Sequence, residues 1–237
     1  MGKFCFKRFC VENRNSAMKV GTDAVLLGAW MQASHDRIRM LDIGCGTGII
    51  SLMAAQRNPE ADIQSIDIDR ISVEEADDNF RQSPWPARIT AKEISFQKLS
   101  EDPSLQGKYA HLFSNPPYFE NSLKSDDSRK MTARHNDSLP FEEIINGFKR
   151  LTGEDGLLSI ILPSSEFEIF LHLAKRDGLY AERICYVKTS PKKPHKRVLA
   201  EFRRKKSQLV EDELTIQENG QYTETYKSLT RDFHPFL

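Results

Sequence analysis

At 237 residues, with 39% hydrophobic and 29% charged residues, the chain is long enough to bury a sizeable core and suits one α/β unit. Lys plus Arg (34) balance Asp plus Glu (34), so net charge favours neither an anionic nor a cationic partner. Only 12 glycines and 11 prolines, and no repeat at a fixed period, exclude collagen-like, low-complexity and solenoid architectures.

The start, Met-Gly-Lys-Phe-Cys-Phe-Lys-Arg, lacks the apolar core of a secretory signal, and no apolar run is long enough to span a bilayer. A cytoplasmic location without membrane attachment is expected. Phe6 stands where a myristoylation motif needs Ser or Thr, which removes Gly2 from consideration. Cysteines 5, 10, 45 and 185 form no Cys-x-x-Cys cluster and have no neighbouring His, so reduced, mostly buried thiols and no metal site are expected.

Residues 4–11 alternate Phe, Cys and Val with basic residues, the pattern of a short strand, and Thr22-Asp23 precedes the apolar run AVLLGAWM like a helix cap. Together they form a short N-terminal extension, about residues 1–35, on one domain spanning 1–237. IRMLDI (38–43) predicts a buried strand, Gly44 to Gly48 a tight turn, and IISLMAAQR (49–57) a helix. IQSID (63–67), ARITA (87–91) and Tyr109 to Phe113 predict further strands, with Ile71, Val73, Ala76 and Phe80 as the inner face of a helix between the first two. The run from Tyr109 stops at Ser114-Asn115-Pro116-Pro117, where proline forbids ladder continuation. A long polar loop follows, then a helix over 140–151, a strand over 157–162, a helix over 166–177 and strands near 182–188 and 197–203. Alternation of this kind predicts a mostly parallel sheet covered on both faces.

Leu-Asp-Ile-Gly-Cys-Gly-Thr-Gly (41–48) sits between a strand and a helix, the setting in which a glycine pattern becomes a nucleotide-type site. Its Gly-x-Gly-x-Gly spacing differs from the dinucleotide fingerprint, and Asp42 would repel a pyrophosphate. A ligand carrying an ammonium group fits better. S-adenosylmethionine has one, and its ribose needs an acidic acceptor at the next strand. Asp67 lies close to the ~20-residue interval after the glycine loop that such an acid occupies, with Asp69 as its rival. Taken alone, the loop reads equally as a plain turn, with Asp67 or Asp69 capping the next helix.

Asn115-Pro116-Pro117-Tyr118 ends the fourth predicted strand, and ligands of doubly wound sheets bind beyond the carboxyl ends of strands. Methylating an adenine or amide nitrogen is hard because its lone pair is delocalised. The Asn115 side-chain oxygen and the Pro116 carbonyl can accept both N–H hydrogens and reorient that nitrogen, while the prolines stiffen the acceptors. Tyr118 can stack on the planar target, a contact worth about 1–3 kcal/mol.

Asp42-x-Gly-x-Gly-x-Gly48, Asp67 and Asn115-Pro-Pro-Tyr118 together resemble class I, Rossmann-like amino-methyltransferases. Lys19 to Trp30, Ser114 to Phe119, Ser122-Leu-Lys124, Arg129, Ala133-Arg-His135, Tyr222-Thr-x-x-Tyr226 and Leu229-Thr-x-Asp-Phe233 tighten the match to bacterial tRNA(Val) adenine-N6 methyltransferases over nearly the whole chain. The resemblance implies a mostly parallel seven-stranded sheet with helices on both faces, and methylation of the adenine next to the anticodon. It further implies catalysis by the Asn115 motif, and Thr22 and Asp23 helping to close the cofactor pocket. Ser125-Asp126-Asp127 departs from the family, which often has proline after Ser-Leu-Lys. Glu93 is the candidate contact to the cofactor's adenine, against a plain solvated surface carboxylate.

Segment 188–206 carries nine Lys or Arg residues against the single Glu201, while 60–78 holds eight acids. Lys192, Lys193, Lys196 and Arg197 are the expected phosphate contacts, with a solvated hairpin as the bland alternative. Arg129, Arg134 and His135 are candidate clamps on the substrate, although a lone His is more often structural than catalytic. The expected partner is a tRNA, its target base splayed out in a loop. Two other classes compete. Protein glutamine methyltransferases share the Asn-Pro-Pro-Tyr motif but usually carry a helical domain ahead of the glycine loop, and a non-catalytic RNA-binding module would not need the intact motif.

Overall fold

The computed structural model describes residues 2–13, 21–116 and 139–234. Its centre is one eight-stranded sheet. In spatial order, the strands are β10 (Val210–Thr215), β8 (Tyr180–Lys188), β9 (His195–Arg203), β7 (Thr152–Pro163), β6 (Tyr109–Ser114), β3 (Arg39–Ile43), β4 (Asp62–Asp67) and β5 (Ile89–Glu93). All run parallel except β9, which is antiparallel to both its neighbours. The order reverses at β3, whose neighbours are β4 on one side and β6 on the other, so the crevice beyond its carboxyl end is the expected ligand site of a doubly wound sheet.

Strand period two divides the core. Met40, Phe113, Ile161 and Leu199 face one layer, made by α1 (Thr22–Trp30), α2 (Ile49–Arg57), α3 (Arg70–Arg81) and α7 (Glu224–Thr230). Leu41, Leu112, Ile160 and Ala200 face the other, made by α4 (Phe96–Ser100), α5 (Phe141–Leu151) and α6 (Ser164–Arg176). Both faces are therefore covered by helices, as expected. Among the described residues no helix is long and apolar enough to cross a membrane, and no group of three or more His, Cys, Asp or Glu could hold a metal.

Several expectations need correction. The sheet has eight strands, not seven: β10 was illegible because its sequence VEDELT buries only Leu214 and so carries no apolar pattern. Residues 4–11 form a hairpin rather than one strand, β1 (Lys3–Cys5) against β2 (Cys10–Glu12), closed by the Phe6 N–H donating to the Phe9 carbonyl at 2.8 Å. That turn sets Cys5 opposite Cys10, and the two are joined as a disulfide, whereas Cys45 and Cys185 are the buried free thiols expected. The third strand starts at Ile89 rather than 87. Arg88 ahead of it folds back to donate to the carbonyls of Ala55, Asn58 and Ala61. On α3 the buried face is Ser72, Glu75, Ala76, Asn79 and Phe80, while Ile71 is half exposed. Gly21, not Thr22, precedes the first turn of α1, and it has no side-chain cap.

Candidate active site

The glycine loop is held from below by strand ends. The N–H groups of Gly44 and Cys45 both donate to the carbonyl of Ile66 at 2.9 Å, and Gly48 N–H closes the turn on the Cys45 carbonyl at 2.8 Å. Gly48, at φ 78°, admits no side chain, because a Cβ would lie 2.3 Å from the Phe80 ring. Gly44 and Gly46 also have positive φ, but a Cβ on either would meet nothing within 4 Å. Those two glycines thus border open space.

Asp67, at the end of β4, accepts from Gly46 N–H at 2.9 Å through one oxygen and from Asp69 N–H at 3.0 Å through the other. A carboxylate has about four acceptor positions, so capacity remains. Asp69 is spent as the cap of α3, accepting from the Ile71 and Ser72 N–H groups and from the Ser72 hydroxyl at 2.7 Å. The geometry separates the two acids that the sequence left as rivals.

Asp42 lies fully buried beneath the loop, next to α2. Its Oδ2 accepts from Ser51 Oγ at 2.6 Å, Ser51 also contacts Ser65 Oγ at 2.7 Å, and Asp42 Oδ1 has no partner among the described residues. Burial pushes its carboxyl up to about 7, against the Ser51 hydrogen bond and helped by the charge of Asp67. Burial likewise drives the Cys45 thiol well above its ordinary range, so it stays protonated. Asn79 ties the loop to the hairpin: its amide donates to Thr47 O at 2.9 Å and Glu12 O at 3.0 Å, and its oxygen accepts from Glu12 N–H at 2.8 Å.

β6 delivers Asn115 to the same edge. Ser114 lies opposite Ile43 in the register and its hydroxyl donates to the Ile43 carbonyl at 2.8 Å, so the residues that follow, Asn115 and Gly44, leave adjacent strands side by side. Asn115 is partly buried and Pro116 buried. Pro117, Tyr118, Arg129, Arg134 and His135 lie outside the described residues. Glu93 is exposed at the end of β5, in register with Asp67. Sequence reasoning passed over Ile68, 53% exposed between Asp67 and Asp69, an apolar surface at the crevice that the pattern Ile-Asp-Ile-Asp conceals. It also passed over Ser51 and Asn79, for which no signal existed without the fold.

The basic segment does not form one patch. β9 separates it into two groups roughly 25 Å apart at the strand rise of ~3.3 Å per residue. Arg203, Arg204 and Lys205 sit at the amino end of the sheet and are paired there with Glu182, Glu154, Asp155 and the Thr152 carbonyl. Lys192 and Lys193 are exposed on the turn between β8 and β9 and Lys196 is exposed at the start of β9, at the carboxyl end, and none has a carboxylate partner among the described residues. Arg197 stands apart from these lysines. Its Nε donates to Asp23 Oδ2 at 2.7 Å, with both side chains partly buried.

A family model described as the methyltransferase small domain matches residues 15–137. The tRNA1(Val) (adenine(37)-N6)-methyltransferase of Flavobacterium psychrophilum is 40% identical over 232 residues, 98% of either chain. Those of Bacteroides fragilis (strain ATCC 25285) and Pseudoalteromonas translucida are 40% and 38% identical, covering 98% and 99% of this chain and 97% and 99% of theirs. Among solved structures, a predicted O-methyltransferase from Agrobacterium tumefaciens shares the fold at 20% identity and a TM-score of 0.68, covering 89% of this chain and 96% of that one. A geranyl diphosphate methyltransferase solved with SAM does so at 14% and 0.53, covering 76% and 84%. Near-full-length identity at this level, on a sheet that brings the glycine loop and Asn115 together, means that the chain belongs to the tRNA1(Val) (adenine(37)-N6)-methyltransferase family.

Proposed function

We propose that this protein transfers the methyl group of S-adenosylmethionine to N6 of adenine 37, beside the anticodon, in a valine tRNA in the cytoplasm. The observation that carries the reading is the adjacency of Asn115 and Gly44 at the ends of two hydrogen-bonded parallel strands, pinned by Ser114. Cofactor site and methyl acceptor then share one crevice at the point where strand order reverses.

The donor set suits the cofactor. Gly44 and Gly46 leave open space where side chains would project, Asp67 retains acceptor capacity for ribose hydroxyls, and Asp42 Oδ1 is a buried acceptor beside which an ammonium is favourable. Glu93 and the exposed face of Ile68 flank the adenine end. S-adenosylmethionine supplies an activated methyl on sulfur. The Asn115 carboxamide oxygen and the Pro116 carbonyl accept the two N6 hydrogens and hold the nitrogen lone pair towards that methyl, with Tyr118 stacked on the base. The N–C bond forms as the S–C bond breaks, S-adenosylhomocysteine leaves, and the proton lost from N6 goes to water. Lys192, Lys193 and Lys196 engage phosphates on the substrate side of the crevice, and Arg129, Arg134 and His135 are the further candidate contacts to the tRNA.

Asn115→Ala is expected to leave S-adenosylmethionine affinity within about twofold while lowering kcat by about two orders of magnitude or more, the usual cost of one positioned polar group. Calorimetry and single-turnover methylation read the two separately. Unchanged turnover removes Asn115 from the chemistry.

A further inference from the structure

Helices α1 and α2 run side by side in the same direction. Arg57, at the end of α2, donates to the carbonyls of Gly28 and Met31 at the end of α1, at 3.0 and 2.6 Å. Gly28 permits that contact, since a Cβ there would lie 2.7 Å from Met53 Sδ. Because α2 begins immediately after Gly48, the start of α1 stands beside the glycine loop.

From that first turn Asp23 reaches across to Arg197, 174 residues away in sequence. The pair is partly buried, with side-chain exposures of 22% for Asp23 and 28% for Arg197, so it is less screened than a surface pair. Arg197 also donates through Nη1 to the carbonyl of Lys196 at 3.1 Å, and β9 sets it opposite Pro163 at the carboxyl end of β7, the strand next to β6 and Asn115. One guanidinium therefore joins the helix beside the glycine loop to the start of β9, which carries Lys196 and follows directly on the turn with Lys192 and Lys193. Its planar fork suits two simultaneous acceptors in a way that an ammonium does not.

We infer that Arg197 is a positioning residue rather than a phosphate contact: through Asp23 it fixes the start of α1 against the basic turn, so RNA held on the turn and cofactor held at the glycine loop strengthen each other's binding. The inference rests on the functional reading above. Linkage makes the effect reciprocal, and couplings between sites are commonly 5-fold or more.

The test measures S-adenosylmethionine affinity of the full chain with and without saturating valine tRNA, for wild type, R197A, R197K and the exchanged pair D23R/R197D. Wild type is expected to bind cofactor about 5-fold or more tightly with tRNA present. R197A is expected to abolish that enhancement and raise the cofactor KM to match, with the salt slope of tRNA binding unchanged. R197K should keep part of the enhancement, and the exchanged pair should restore part. If R197A does not fold, R197K and the exchanged pair carry the comparison. A salt slope in R197A lower by about one phosphate, with weaker tRNA binding, would make Arg197 a phosphate contact instead. Equal enhancement in wild type and R197A, or none in wild type, would also overturn the inference while tRNA is still bound and methylated. A wild type that neither binds nor methylates tRNA would overturn the functional reading as well.

Discussion

Asp42 is a carboxylate that this fold keeps out of water. Its ordinary value is 3.8 and burial raises it to about 7, so the folded protein holds the proton more tightly than the unfolded chain does. Its contribution to stability is therefore greatest in acid and declines as pH rises from about 4 through 7. A cofactor ammonium beside it favours the ionised form and reverses the preference. S-adenosylmethionine binding is thus expected to release a proton between pH 5 and 7, with affinity climbing over that range and levelling above it. Asp42→Asn should flatten the profile. Calorimetry in two buffers of different ionisation enthalpy reads the proton directly, and identical heats in both would separate Asp42 from the cofactor. The sequence revealed Asp42 through its place beside three glycines and Asp67 through its interval after them at the end of the next strand, but it could not show that Asp69 is consumed as a cap or that Ser51 holds Asp42. Those facts depend on which helix turn meets which strand end.

At the scale of elements, the turn between β8 and β9 and the strand after it explain how a run of cations is used. The sequence shows nine basic residues together, yet an extended β9 carries Arg203, Arg204 and Lys205 to the far end of the sheet, where they pair with carboxylates and carbonyls. Only Lys192, Lys193 and Lys196 remain exposed and unpaired on the active-site edge among the described residues. Replacing these three with Ala is expected to weaken tRNA binding and reduce its salt slope by about two to three, at roughly 0.7–0.9 per phosphate lost. Filter binding across a salt series measures this, and an unchanged slope would move the RNA to another face. The strands of the parallel core were legible because their side chains are apolar on both faces, as in IRMLDI and IQSID. The hairpin at 3–12 and the edge strand at 210–215 were not. One turns at Lys7-Arg8, between two apolar triplets that read as a single strand, and the other meets solvent along most of its length.

Across the whole molecule, a net charge of zero conceals a polarised crevice. On the β4 side, Glu74 pairs with Arg70, and Asp77 and Asp78 pair with Arg81, while the Asp67 carboxylate, the exposed Glu93 in register with it and the buried Asp42 stand at the carboxyl ends of the strands beside the glycine loop. On the β9 side stand the three lysines. On the proposed reading, a cationic cofactor and an anionic polymer approach from opposite flanks and meet at Asn115, which follows β6 between them. The measurement that tests this directly is methyl transfer from labelled S-adenosylmethionine to valine tRNA purified from cells lacking this protein, followed by digestion to nucleosides. Labelled N6-methyladenosine at the position beside the anticodon, absent with Asn115→Ala, is the expected result. Label on a release-factor glutamine in a parallel reaction, with none in the tRNA, would contradict the account.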